Sequence, residues 1–137
     1  MHSITWKKHF IKTWIMSSNK TTVVIGASPN TDRYSYKATI SLQNHQHTVY
    51  PVGLRKGIIN GLEIITDKPA LKEVDTVTLY VGPDNQPYWY DYILSLKPKR
   101  IIFNPGTENP ELEKMAADKG IETMEACTLV LLSIKQY

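Results

Sequence analysis

Short apolar runs rich in β-branched residues recur along this chain, and stretches with helical signals separate them. The runs are Thr22 to Ala27, His47 to Val52, Asp75 to Val81, Arg100 to Asn104 and Ile121 to Ala126. Each is long enough for one buried strand and is bounded by turn formers. Between them the pattern predicts helices over about Tyr34 to His45, Lys68 to Glu73, Asn85 to Leu96 and Asn109 to Lys119. Asp67 caps the second of these, with Pro69 early in it, and Pro87 sits in the first turn of the third. The fourth opens on Asn109-Pro110-Glu111 (cap, proline at the first position, acid in the first turn) and stops at Lys119-Gly120. Leu54 to Gly61 reads as a glycine-containing basic loop and Leu62 to Thr66 as a short extended piece. Thr128 to Ile134 is apolar on most sides, which suits a buried helix or a subunit contact. Alternation of this kind is the signature of a parallel sheet covered on both faces. No linker or repeat interrupts it, so the expectation is one α/β domain, a doubly wound five-stranded parallel sheet flanked by helices.

The 137 residues suit one domain with one core, and an apolar fraction of 42% supplies enough buried surface for it. The formal net charge of +3 is spread along the chain rather than gathered on one face, which argues against a nucleic-acid partner. A single cysteine, Cys127, rules out an internal disulfide, and a cytoplasmic protein is expected. No apolar run approaches the roughly 20 residues that span a membrane.

Residues 1–19 read as an extension to a domain over 20–137. Trp6, Phe10 and Trp14 recur at four-residue spacing among Lys7, Lys8 and Lys12. The pattern fits a terminal helix packed on the domain or a neighbouring subunit, or a basic amphipathic helix on a membrane surface. It lacks the continuous apolar core of a signal peptide. Met16 is an alternative start, and finding residues 1–15 by mass analysis of the native protein would exclude it. The aromatic extension and the apolar C-terminal segment together suggest a homodimer.

Ligands of doubly wound folds bind outside the carboxyl ends of the strands. Here those ends carry Gly26-Ala27-Ser28, Val52-Gly53, Val81-Gly82-Pro83, Asn104-Pro105-Gly106 and Ala126-Cys127. Small residues there serve turns, and they also let backbone N–H groups approach a phosphate at a helix N-terminus. The first turn lacks the second and third glycines of a dinucleotide fingerprint. The second strand is followed by Arg55 and Lys56 rather than an acid. An acid there would favour a free ribose diol, whereas cations suit a phosphorylated ribose. That points to CoA or NADP and away from NAD, unless the two cations only solvate the loop. Arg33 and Lys37 stand near a helix start, where cations oppose the helix dipole unless an anion is bound.

The run Val24-Ile25-Gly26-Ala27-Ser28-Pro29-Asn30-Thr31-Asp32-Arg33-Tyr34-Ser35-Tyr36-Lys37 resembles the opening motif of the small stand-alone CoA-binding proteins. Val49-Tyr50-Pro51-Val52-Gly53 and Asn104-Pro105-Gly106-Thr107 also match that family, over about Lys20 to Ile134. The family often has proline where Thr31 stands here. Its fold is similar to the N-terminal CoA-binding domain of the succinyl-CoA synthetase α subunit. The resemblance implies a Rossmann-like five-stranded sheet with a CoA site along its carboxyl edge. Gly26, Ala27 and Ser28 would cradle the pyrophosphate, and Arg33 and Lys37 would pair with phosphates. Val52, Gly53 and Arg55 would lie at the adenosine 3′-phosphate end. Tyr80, Val81 and Pro83 would flank the adenine or pantetheine arm, with Asn104, Pro105 and Gly106 on the far side. The chain has no room for the synthetase's phosphohistidine domain or nucleotide-grasp subunit, so ligase activity is not expected of it alone.

No catalytic or metal constellation stands out. His45 and His47 lack a Cys or carboxylate partner in register. Cys127 is a buried structural thiol or a partner for a CoA thiol, and Glu108, Glu125 and Asp32 stand singly. Three readings follow: a CoA or acyl-CoA binding protein without chemistry of its own, an NADP-dependent oxidoreductase, or an interaction protein with a vestigial nucleotide crevice.

Overall fold

The computed structural model describes residues 19–137. The expected helix around Trp6, Phe10 and Trp14, and the alternative start at Met16, lie outside the described residues.

Five parallel strands form the main sheet: β1 (Thr22–Ile25), β2 (Val49–Val52), β5 (Thr76–Leu79), β6 (Arg100–Phe103) and β7 (Glu122–Glu125), in the order β2-β1-β5-β6-β7. Every residue of β1 and β5 is buried, because helices cover both faces of the sheet. One face carries α1 (Tyr34–Asn44) and α4 (Thr128–Ser133), where Val24, Val49, Leu42 and Leu132 pack. The other carries α2 (Tyr90–Ser95) and α3 (Pro110–Asp118), packed through Ile93 and Leu112 onto Val23, Ile25, Val77, Leu79 and Phe103. A side chain such as Phe103, fully buried here, contributes about 1.5–3 kcal/mol relative to exposure. β7 is an edge strand, and exposed Glu122 and Glu125 protect it from further pairing.

α3 follows its local signals. The Asn109 side chain accepts the Glu111 and Leu112 N–H groups, and Pro110 occupies the first position. At its far end the Ile121 N–H reaches back to the Ala116 carbonyl across Gly120, whose φ is +75°.

Elsewhere tertiary context overrides propensity. Lys68 to Glu73 is not helical. Lys68 and Glu73 have φ of +51° and +56°, and a residue before proline is steered out of the helical region. The predicted helix over Asn85 to Leu96 is two 3₁₀ turns, Pro83–Asn85 and Pro87–Trp89, leading into the short α2. Pro87 has no N–H to donate into a continuous helix. The segment expected as a loop supplies β3 (Ile58–Ile59), which pairs antiparallel with β4 (Leu62–Glu63) in the piece expected to be extended. Asn60 and Gly61 at the tip of this hairpin both have positive φ, as a type I′ turn requires. Just beyond, within the piece expected to be extended, Ile65 bridges to Val52 in parallel, so this connection extends the sheet past β2.

Among the described residues no helix is long and apolar enough to cross a membrane. On α4, Val130 and Ile134 just beyond it are exposed while Leu132 is buried, so this segment is apolar outward as well as inward.

Candidate functional site

The chain leaves β1 toward the α1 face and leaves β5 toward the α2 face. The strand order reverses between these two neighbours, and the connections part there to leave a crevice at the carboxyl edge. A groove of about 1120 Å³ opens at that point.

Its floor is the turn after β1. The Gly26 and Ala27 N–H groups both donate to the Val52 carbonyl at 3.0 Å, which folds the chain sharply across the end of β2. Gly26 has φ of +93°, and a Cβ there would stand 2.8 Å from the Tyr80 carbonyl oxygen and from Val81 Cγ2. Glycine is therefore required twice over, by conformation and by space. On the other side a Cβ on Gly53 would strike the Ala27 carbonyl oxygen.

The turn continues through its own side chains. Ser28 Oγ accepts the Asn30 N–H at 3.1 Å, and Asn30 Oδ1 accepts the Asp32 N–H at 2.9 Å. Among the described residues the Ser28 N–H finds no acceptor. α1 then starts with Arg33 in the cap position, without a side-chain cap and without an acid in its first turn. The partial positive charge of this helix start lies at the groove, which Arg33, Tyr34 and Ser35 line. Arg55 adds a second guanidinium and Asp84 an acid among the lining residues.

Of the residues singled out from sequence, Gly26, Ala27, Ser28, Arg33, Arg55, Tyr80, Val81, Pro105 and Gly106 line this groove. Lys37, Val52, Gly53, Pro83 and Asn104 do not. The Lys37 Nζ stands 5.5 Å from the Tyr34 ring centroid, one helical turn back from the groove. Val52 is fully buried beneath the turn, and Pro83 starts the first 3₁₀ turn. Asn104 is a buried clamp: its amide donates to Thr78 Oγ1 (2.7 Å) and the Leu79 carbonyl (2.8 Å), and its oxygen accepts the Thr128 N–H (2.9 Å).

An apolar wall was missed in the sequence. Leu54, Tyr34 and Tyr88 line the groove while 72%, 68% and 59% exposed, and buried Trp89 joins them. Exposed apolar side chains gathered at one cleft mark a binding surface more than scattered ones do. The aromatic run Tyr88-Trp89-Tyr90 after Pro87, in the connection that follows β5, was the available signal. Lys68 Nζ stands 3.6 Å from the Tyr88 ring centroid, a cation–π contact on this wall.

Tyr80 contributes its ring to the groove, but its hydroxyl is buried and has no hydrogen-bond partner among the described residues. Burial first, and then Cys127, push its pKa well above the usual tyrosine value, so the phenol stays neutral. The nearby Thr78 and Thr128 hydroxyls act weakly the other way and bond each other at 2.8 Å. Glu108 accepts the Gly106 N–H, and Cys127, half-buried, heads α4 outside the groove lining. Among the described residues no three His, Cys, Asp or Glu side chains gather as a metal site.

This sheet order, with a glycine turn and a helix start at the strand-reversal point, places the domain in the Rossmann-like α/β class. Residues 20–133 match the model of the CoA binding domain, and the chain belongs to that family. The crystal structure of an uncharacterized protein is similar at 52% identity, covering 87% of this chain and 98% of that one, with a TM-score of 0.85. A hypothetical protein from Pyrococcus horikoshii OT3 is similar at 22% identity, over 86% of this chain and 84% of that one (TM-score 0.75). An acetyl-coenzyme A synthetase from Ca. Korarchaeum cryptofilum, solved with phosphate and ADP, shares the fold at 19% identity over 80% of this chain and 26% of that one (TM-score 0.63). No curated protein matches the sequence.

Proposed function

We propose that the groove binds CoA or an acyl-CoA and that the chain carries out no chemistry of its own. The observation that carries this reading is the convergence, in a member of the CoA binding domain family, of three anion-seeking features. These are the Gly26–Ser28 turn, whose Ser28 N–H has no acceptor among the described residues, the start of α1 without a side-chain cap, and the Arg33 and Arg55 side chains. In this reading Gly26, Ala27 and Ser28 cradle the pyrophosphate and Arg33 pairs with it. Lys37 supplies longer-range positive charge, swinging forward off the Tyr34 ring. Arg55 takes the ribose 3′-phosphate, with Val52 and Gly53 fixing the backbone behind it. Tyr80 and Val81, with Pro83 shaping their turn, flank the organic arm. Pro105 and Gly106, held by Asn104, form the far side. A relative that is an acetyl-coenzyme A synthetase supports the ligand class. A cytoplasmic location goes with the reading.

The test is calorimetric titration of the ligand-stripped protein with CoA, NADP and NAD in one buffer, repeated on Arg33→Ala with Lys37→Ala. Saturable CoA binding, with both nicotinamide dinucleotides much weaker and the double variant weakened at least about tenfold, supports it. Preference for NADP would revive the oxidoreductase reading. Silence for all three would leave an interaction protein with a vestigial crevice.

A further inference from the structure

The loop after β5 and the loop after β6 form opposite parts of the groove, supplying Val81 and Thr107. Gln86, which does not line the groove and is fully buried, touches both. Its Nε2 donates one hydrogen to the Val81 carbonyl at 2.8 Å and the other to the Thr107 carbonyl at 2.7 Å. Its Oε1 accepts from Asn109 Nδ2 at 2.9 Å, and that same Nδ2 also lies 2.7 Å from the Tyr90 hydroxyl. Asn109 Oδ1 meanwhile caps α3.

We infer that Gln86 is a positioning residue of the groove: its amide ties the β5 wall to the β6 wall and fixes their separation for the ligand. The inference deepens the CoA reading and rests on it for the identity of that ligand. Few side chains can replace this amide. Glutamate offers no donor when ionised, methionine offers none at all, and lysine has no acceptor for Asn109. Asparagine carries the right group one methylene short of the second carbonyl. The tie is buried and satisfied at every polar atom, so it holds one geometry rather than an average over several. A ligand that contacts both walls gains from that preorganisation, because it does not have to order the two loops itself.

The test uses the full chain carrying Gln86→Met, which keeps side-chain bulk and deletes the tie, and Gln86→Asn, which keeps the amide and shortens it. Two readouts are taken at a temperature where circular dichroism shows each variant folded. The first is the CoA dissociation constant by calorimetry. The second, on ligand-free protein, is amide hydrogen exchange at residues 81–82 and 106–107. The expected result is a roughly tenfold weaker CoA affinity for Gln86→Met, with a smaller loss for Gln86→Asn. Faster exchange in both loops, with the sheet unchanged, accompanies it. A mere space-filling role would leave folded Gln86→Met with wild-type affinity and wild-type exchange, and that result overturns the inference. Should Gln86→Met fail to fold, the same readouts on Gln86→Asn decide in the same way. If the wild-type protein does not bind CoA, the ligand reading fails, and the exchange measurement alone still upholds or overturns the tie.

Discussion

Gly26 and Gly106 offer a matched pair of substitutions. Their φ values are nearly equal, +93° and +91°, yet their surroundings are opposite. A Cβ on Gly26 meets the Tyr80 carbonyl oxygen and Val81 Cγ2 at 2.8 Å, whereas a Cβ on Gly106 meets nothing within 4 Å. Alanine at either site is forced into a left-handed conformation, at about 1–2 kcal/mol. Stiffening of the unfolded chain returns about 0.4–1 kcal/mol. Gly106→Ala should therefore destabilise by about 0–1.6 kcal/mol. Gly26→Ala adds overpacking against a backbone carbonyl that β5 holds in place, about 1–3 kcal/mol more, for about 1–4.6 kcal/mol in all. Urea unfolding followed by far-ultraviolet circular dichroism measures both, with an unchanged denaturant slope as the check that the comparison is fair. Equal costs at the two sites, or a larger cost at Gly106, would refute the claim that close approach of two strand ends is what demands glycine at position 26.

Asn104→Ala should cost about 2–4 kcal/mol, because it leaves the buried Leu79 carbonyl and the Thr128 N–H without their partner, and urea unfolding reads this directly. His47 gives a pH signature. Burial first, then His45, Lys20 and Arg100, hold its pKa below the ordinary histidine value of 6.5, and its Nδ1 accepts the Lys20 N–H. The unfolded chain therefore takes up the proton first on acidification. The contribution of His47 is constant above that value, and stability falls as pH drops through 6.5 toward the lower folded value. The urea midpoint should show this fall in the wild type and lose much of it in His47→Asn. Glu113 has the opposite sign. Burial, then a hydrogen bond and repulsion from Glu125, raise its pKa, so Glu113→Gln should raise the melting temperature at neutral pH and do less in acid.

The features legible in the sequence are those that short segments decide. Asn109, Pro110 and Gly120 set both ends of α3 through local hydrogen bonds and backbone preference. The inner strands announce themselves because a parallel sheet covered on both faces buries nearly every position of them, whereas β7 at the edge keeps Glu122 and Glu125 exposed. The strand ends then follow from the alternation, which is why most residues assigned to the crevice do line it. Lys37 fell outside because helical periodicity carries it back over Tyr34, a displacement that motif position alone does not reveal. Gln86 was invisible for a different reason. It reads as one more polar residue in the first turn of the helix expected over Asn85 to Leu96, and only tertiary packing puts two carbonyls within reach of its amide. Likewise Asn60-Gly61 carries a hairpin signal, but the strands it joins are two residues each, too short to show a period.

The parting of connections between β1 and β5 bears on how such a domain changes over evolutionary time. The recess exists because the chain goes opposite ways from two adjacent strands, not because packing was removed to make it. Several of its lining residues, Arg33, Leu54, Arg55, Asp84 and Tyr88, are solvent-exposed and make no part of either core cluster. Substitutions at those positions can accumulate with little toll on folding. Selection can therefore retune what the recess holds while the scaffold beneath it stays constant.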